Sequence, residues 1–217
     1  MTKSIFKPYV GPNYSNSDFK LLVLGESHYA PQFLTQNLTQ NQIIERFEFT
    51  NDIVKKHISY KQIKYPFERW MNTFTKFANV YLGRTLSKIE QVNFWESVSF
   101  YNFIQTPMAN NRTSPSHDDF RNSYDAFKQV CHSLNPDFIL FWGNRLWNNF
   151  PRNDYQLTTH GDLRKQNFLS LDRMIPFLVT PHPSSSYFNY NNIESIAEHV
   201  TMAKDFKANK QNPAQAR

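Results

Sequence analysis

Cysteine is almost absent from this sequence, which has Cys131 alone in 217 residues. This excludes a disulfide framework, a cysteine-rich zinc site and an iron–sulfur cluster, because each of these needs several cysteines. The sequence also has no apolar run close to the roughly 18 to 20 residues of a membrane-spanning helix, and its N-terminus lacks the apolar segment of a signal peptide. We therefore expect a cytoplasmic protein with no membrane partner.

Glycine is scarce as well, and two of the five glycines follow apolar runs. Gly25 follows "LLVL" and Gly143 follows "FILFW". At either position the missing Cβ could serve a tight turn between strand and helix, or it could let backbone N–H groups approach a substrate closely. The pair, together with His182 after a third apolar run, favours a binding site.

Four short apolar runs predict the strands of a buried sheet: "LLVL" (21–24), "SVSFYNFI" (97–104), "FILFW" (138–142) and "PFLVT" (176–180). Continuous runs of this length, separated by helical patterns, are typical of parallel strands that are covered on both faces. The length of the chain suits one domain over residues 1–217. The sequence thus predicts an α/β fold, a three-layer α/β/α sandwich with a central, mostly parallel four-stranded sheet.

Helices are expected at about 41–58 and 66–83, after the N-caps Ser87 and Ser116, and from about residue 192. Ser87 and Glu90 have the spacing of a capping box. The polar stretch 153–172 could be an excursion or a hairpin. Residues 1–17 are expected to form an N-terminal arm, and residues 208–217 are expected to form a disordered tail.

Charge and aromatic content indicate the kind of partner. Lys and Arg number 24 against 18 Asp and Glu, a net charge of +6, and aromatic residues make up 16% of the chain. A basic surface suits a polyanion. We expect most of the aromatic side chains in the core and some available to stack on bases.

Polar side chains follow the predicted strands, where an open parallel sheet binds its ligands. The residues concerned are Gly25, Glu26, Ser27, His28 and Tyr29 after the first strand, Asn102 near the end of the second, Gly143, Asn144 and Arg145 after the third, and Pro181, His182, Pro183 and Ser184 after the fourth.

In order and spacing, these motifs resemble the uracil-DNA glycosylase superfamily. "GESHY" (25–29) falls on the family's glycine-led motif, which reads Gly-Gln-Asp-Pro-Tyr in one branch and Gly-Glu-Ala-Pro-Gly in another. "SFYNFI" matches a strand that ends in a base-reading Asn, "FILFWGN" a strand that ends in Trp-Gly, and "TPHPSSSYF" a His-Pro-Ser motif. The resemblance covers roughly residues 19–206. It implies a monomeric enzyme without a cofactor or metal, which flips uracil or a related base out of DNA and hydrolyses its N-glycosidic bond.

The resemblance also implies catalytic roles. His182 would donate a hydrogen bond to the departing base, unless it is a loop histidine fixed by its two neighbouring prolines. The best-known branch has a carboxylate where Ser27 stands here, and a serine hydroxyl is an uncharged, poor general base. Glu26 is the substitute that matches the second branch, or else it orients the loop. Weak or absent catalysis is therefore an open alternative, in which the chain binds DNA, a modified base or a partner protein.

Base recognition by resemblance falls to Gly25, His28, Tyr29 and Asn102. Asn102 would read the edge of uracil or merely cap the sheet edge, and Tyr29 would crowd the C5 position of the base or simply pack there. His28 replaces the family's proline, and its role is left open. DNA contacts are expected from Ser184, Ser185, Ser186, Tyr187 and Phe188. Tyr187 or Phe188 would be an apolar wedge, unless one of them, Phe188 in particular, packs beneath the last helix. Arg112, Arg164 and Lys165 would hold phosphates.

An esterase is a further alternative, with Ser27 as nucleophile and Asn144 and His182 as its partners. Esterases of this kind have an Asp three residues before the His. Here that residue is Val179, which cannot orient an imidazole.

Overall fold

The computed structural model describes residues 6–29, 49–108, 113–152, 154–160 and 164–211. This part of the chain contains a seven-stranded sheet with the strand order β1-β3-β2-β4-β7-β6-β5. The strands are β1 (Tyr9–Val10), β2 (Leu21–Gly25), β3 (Ser99–Asn102), β4 (Phe138–Trp142), β5 (Tyr155–His160), β6 (Arg164–Ser170) and β7 (Met174–Thr180).

The fold is α/β, but the expected four-stranded, mostly parallel sheet is wrong. The four apolar runs do form β2, β3, β4 and β7, which lie side by side in three parallel pairs. Three antiparallel pairs extend this group: β1 on β3, β6 on β7, and β5 on β6. The added strands are either two residues long or polar, so they have no continuous apolar run that would reveal them. The polar stretch from 153 to 172 contains the β5–β6 hairpin.

The described helices are α1 (Phe49–Lys61), α2 (Met71–Tyr81), α3 (Lys88–Ser97), α4 (His117–Leu134), α5 (Asn144–Asn149) and α6 (Ile193–Gln211). Both expected caps are present: the Ser87 side chain accepts from Glu90 N–H, and the Ser116 side chain accepts from Asp119 N–H. Such a cap stabilises a helix by about 1 kcal/mol. Helix α6 continues to Gln211, which lies inside the segment that the sequence assigned to a disordered tail.

Helices pack on both faces of the sheet. Leu21 and Val23 point to one face, where α1, α2, α3 and α6 contribute apolar side chains. Leu22 and Leu24 point to the other face, toward α4 and α5. This alternation follows from the two-residue period of a strand. Burial of each large apolar side chain stabilises the fold by about 1.5–3 kcal/mol. In the ranges given above, no helix has both the length and the apolar character needed to cross a membrane.

The parallel strands bring the predicted site residues to one edge of the sheet. Gly25 lies directly opposite Asn102 in the β2–β3 pair, and Trp142 lies opposite Thr180 in the β4–β7 pair. The segments that follow these four strands therefore emerge side by side.

Candidate functional site

Gly25 makes room for a side chain. A Cβ at this position would lie 2.1 Å from Oδ1 of Asn102 and 3.0 Å from the tip of the Phe100 ring. The Asn102 amide occupies the space that any other residue at position 25 would fill. Close packing within the protein thus accounts for this glycine, which is the structural alternative to substrate approach.

Asn102 and His28 lie together in the interior. Asn102 Nδ2 is 3.1 Å from His28 Nδ1 and 3.2 Å from His28 Nε2, and His28 Nε2 is 2.8 Å from Thr50 Oγ1 of α1. The His28 ring also packs against Phe6 and Phe49, with ring centroids 5.0 Å and 5.6 Å away. Burial lowers the pKa of His28 to about 3, so the ring is neutral at pH 7. In this arrangement the Asn102 amide contacts His28, the residue whose role the sequence left open.

The loop after β2 is tied to the segment after β3 by backbone hydrogen bonds. The carbonyls of Gly25, Glu26 and His28 accept from the N–H groups of Phe103, Ile104 and Met108 at 2.9, 2.8 and 2.8 Å. Tyr29 forms a β-bridge with Met108 and is 46% exposed. The loop therefore holds Tyr29 at the surface while His28 points inward.

Glu26 forms an ion pair with Arg145, the second residue of α5. Arg145 Nε donates to Glu26 Oε1 at 2.8 Å, and Nη2 donates to Oε2, so the pair is bidentate. Arg145 Nη1 also contacts Ser114 Oγ at 3.3 Å. The hydrogen bond with Glu26, assisted by Tyr29, raises the pKa of Arg145 and keeps it charged. The carboxylate proposed as the general base is thus paired with a cation.

Sequence reasoning missed this pairing, although Arg145 stood among the residues after the third strand. The two partners are 119 residues apart in the chain. They meet because β2 and β4 are neighbouring parallel strands, so the residues that follow them leave the sheet at the same edge. The pairing could be predicted only from the order of the strands, and no local pattern in the sequence indicates that order.

His182 follows β7 and lies near the same guanidinium. Its Nδ1 accepts from Ser184 N–H at 3.2 Å and is 2.8 Å from Ser184 Oγ, which places the ring proton of the neutral imidazole on Nε2. The ring packs edge-on against Trp142, with centroids 5.9 Å apart. Although the side chain reaches solvent, desolvation of its packed side and then the charge of Arg145 lower the pKa of His182 to about 4. At pH 7 it is a neutral hydrogen-bond donor.

Ser27 has a buried hydroxyl, and no residue in the described ranges forms a hydrogen bond with it. Leaving such a group unpaired costs about 1–3 kcal/mol. An esterase would need Nε2 of His182 to accept the proton of this hydroxyl, but Ser27 Oγ has no such partner among the described residues, and Nδ1, which accepts from Ser184 N–H, leaves the ring proton on Nε2. The arrangement therefore does not favour the esterase alternative.

The loop after His182 is only partly available for DNA. Ser184 and Ser186 are exposed and Tyr187 is 80% exposed, whereas Ser185 is half-buried and its carbonyl accepts from Lys76 Nζ at 2.8 Å. Of the two positions expected for Phe188, a DNA-contacting wedge or a place in the core beneath the last helix, the structure has the second. The Phe188 side chain is fully buried and stacks on Phe77 of α2 at 6.1 Å, because α2 and α6 form an apolar surface beneath the loop. Of the two aromatic candidates, only Tyr187 is exposed.

Of the three residues expected to hold phosphates, Arg164 and Lys165 begin strand β6, although their side chains lie outside the described part of the structure. Arg112 lies outside the described residues. Neither a family model nor a curated protein matches the chain. The site is therefore interpreted from its own residues.

Proposed function

We propose that the chain is a uracil-DNA glycosylase-like protein that flips uracil, or a related modified base, out of DNA and hydrolyses its N-glycosidic bond. The observation that carries the proposal is the meeting of Glu26 and neutral His182 around Arg145 at one edge of the sheet. Cleavage needs a hydrogen-bond donor for the departing base and a carboxylate that activates water near the sugar. His182 and Glu26 have the chemistry for these two tasks. The resemblance of four ordered motifs to that superfamily supports the same conclusion.

In the proposed reaction the bond between C1′ and the base nitrogen breaks, and its electron pair leaves with the base. Nε2–H of His182 donates to the base oxygen on which negative charge develops, and a donor of this kind contributes about 10²- to 10³-fold in rate. The water oxygen bonds to C1′ while Glu26 accepts the water proton, which then passes to the departing base. The products are the free base and an abasic deoxyribose.

Recognition of DNA would rest on exposed groups around this edge. Tyr29 and Tyr187 are exposed aromatic side chains suited to stacking or wedging, and Ser184 and Ser186 are exposed hydroxyls near His182. Removing a base from the duplex costs a few kcal/mol, so mispaired or single-stranded uracil should be the better substrate. The net charge of +6 suits a polyanionic partner.

The ion pair of Glu26 favours a second candidate, a module that binds uracil, a modified base, DNA or a partner protein without cleavage. Arg145 neutralises the carboxylate, and Ser27 supplies no charge at the position where the best-known branch has a carboxylate. A sugar cation would then find little negative charge to stabilise it. Binding of uracil-containing DNA without an abasic product is the signature of this candidate.

Incubation with a labelled oligonucleotide that carries one uracil, single-stranded or opposite guanine, followed by alkali, separates the candidates. The proposed function predicts strand scission by the wild type and its loss in Glu26→Gln and His182→Ala. Glu90→Gln is a matched control, because Glu90 also pairs with an arginine, Arg84, at 2.6 Å but lies on α3. Absence of scission with intact binding would support the binding module, and scission that survives both substitutions would contradict the assigned roles.

A further inference from the structure

Arg145 is more exposed to solvent than the carboxylate with which it pairs. Its side chain is 47% exposed, whereas the side chain of its partner Glu26 is 10% exposed. The guanidinium therefore meets an incoming ligand before the carboxylate does. An anion that approaches this edge would be attracted to Arg145 and repelled by Glu26.

We propose that Arg145 exchanges partners when DNA binds: a phosphate next to the target nucleotide takes the guanidinium from Glu26, and the freed carboxylate then accepts the proton of the attacking water. The inference rests on the proposed function, and it deepens it by naming the substrate class. The substrate would be a nucleotide within a polynucleotide, because a free nucleoside has no phosphate with which to displace Glu26.

The chemistry of the pair permits this exchange. A guanidinium has five N–H donors in a planar fork, and phosphate accepts two of them in the same bidentate manner as a carboxylate. The contact of Nη1 with Ser114 Oγ is long, at 3.3 Å, so it offers little resistance to reorientation. Because the phosphate replaces the carboxylate in the same fork, Arg145 keeps its charge-assisted hydrogen bonds, and the cost of the exchange falls on Glu26, which is 10% exposed and loses its cation.

Loss of Arg145 changes what Glu26 can do. Both carboxylate oxygens accept from Arg145 in the ion pair, so its departure frees them to accept a hydrogen bond from water, as a general base must. The same movement restores a negative charge near the sugar at the stage when the sugar becomes cationic. The ion pair with Arg145 thus keeps Glu26 inactive as a base until DNA is bound.

The position of Arg145 fits a phosphate of the target nucleotide. It comes two residues after Gly143, whose added Cβ would lie 3.5 Å from His182 Cβ. Arg145 therefore borders both groups that are proposed to act on the nucleotide, Glu26 at the sugar and His182 at the base. Because the phosphates of a nucleotide are attached to its sugar, a sugar placed at Glu26 would bring a phosphate close to the guanidinium that pairs with Glu26.

The test uses uracil oligonucleotides in which the phosphate on the 5′ or 3′ side of the uridine is replaced by an uncharged methylphosphonate. Single-turnover abasic-site formation and fluorescence-anisotropy Kd are measured for the wild type, Arg145→Gln and Arg145→Lys, with Arg84→Gln as the control, since Arg84 also pairs with a glutamate. We expect one methylphosphonate to weaken wild-type binding by about 10- to 100-fold and to lower its cleavage rate further. In Arg145→Gln the oligonucleotide with that methylphosphonate and the unmodified oligonucleotide should behave alike within about twofold.

Each outcome distinguishes the inference from the function on which it rests. If the wild type cleaves the methylphosphonate oligonucleotides as fast as the unmodified one, the exchange is overturned and the glycosylase function stays intact. The same holds if the methylphosphonate effect is undiminished in Arg145→Gln. Cleavage of free deoxyuridine as fast as of the oligonucleotide would also overturn the exchange. If the wild type makes no abasic product at all, the proposed function fails and the activating exchange with it, while the anisotropy ratio still reports whether Arg145 binds phosphate.

Discussion

Gly25 and Asn102 are opposite each other at the ends of β2 and β3, and a Cβ on Gly25 would lie 2.1 Å from the Asn102 side-chain oxygen. Gly25→Ala should therefore destabilise the protein by about 1–3 kcal/mol, because the buried amide has nowhere to move without losing its contact with His28. Urea unfolding measures the change. In the double variant Gly25→Ala/Asn102→Ala the shortened side chain at 102 leaves room for the new Cβ. The two losses of unfolding free energy should therefore be less than additive. Strict additivity would contradict this packing.

Acid should weaken the fold through buried histidines. His28 and His57 each have a pKa lowered to about 3 by burial, with the charge of Lys61 as a second cause for His57, so the unfolded chain binds protons that the folded chain refuses. Stability is then fully present above about pH 6.5 and declines toward pH 3, by up to about 1.4 kcal/mol per pH unit for each histidine. Urea unfolding at pH 7 and pH 5 should show a smaller loss in His28→Gln than in the wild type. Parallel losses would contradict a neutral, buried His28.

Substitutions at Tyr187 and Phe188 should have different effects, the first on DNA binding and the second on stability. Phe188→Ala removes a fully buried ring and should cost about 3–5 kcal/mol of unfolding free energy, whereas Tyr187→Ala changes an exposed side chain and should cost less than about 0.5 kcal/mol. If Tyr187 is the wedge, its loss weakens binding to uracil-containing duplex more than to single strands, which need no unstacking. The ratio of the two anisotropy Kd values checks this expectation. An unchanged ratio in Tyr187→Ala would remove Tyr187 from DNA recognition.

Cys131 should be inert in the folded protein. The thiol lies in the core on α4, and burial raises its pKa, so almost no reactive thiolate forms near neutral pH. A disulfide reagent such as DTNB is expected to react fully in urea and negligibly in buffer. Rapid labelling without urea would mean that α4 opens readily from the sheet. The same labelling rate, followed against urea, provides a probe of unfolding for the variants above.

The parts of the fold that the sequence predicted are those with a local cause. Apolar runs identified β2, β3, β4 and β7, the Ser87 cap followed from Glu90 three positions on, and the Ser116 cap from the helical pattern that follows it. Strands β5 and β6 lack such a cause, because "YQLTTH" and "RKQNFLS" are largely polar and pair with each other through the hairpin. Their place at the edge of the sheet depends on the neighbouring strand β7.

At the candidate site, the residue types were predictable from strand ends, but their partners were not. Glu26 and Arg145 both stood at strand exits, yet nothing local indicated that they would bind each other. Tyr187 and Phe188 are adjacent aromatic residues in one loop, and only the position of α2 decides that Phe188 is the buried one. His28 was placed in the right loop, while its inward direction depends on Thr50 and Phe6, which lie far from it in sequence.

Phe6, which precedes the first strand, contacts both loops of the candidate site. Its N–H donates to Gln105 Oε1 at 2.9 Å, and its ring lies against His28, so it fastens together the loops that follow β2 and β3. Together with the three backbone hydrogen bonds between these loops, docked Phe6 restricts how far either loop can move. Undocking of this one aromatic side chain would give the two loops new freedom and raise the entropy of the binding edge. The rigidity of this edge therefore depends in part on a residue that precedes the first strand.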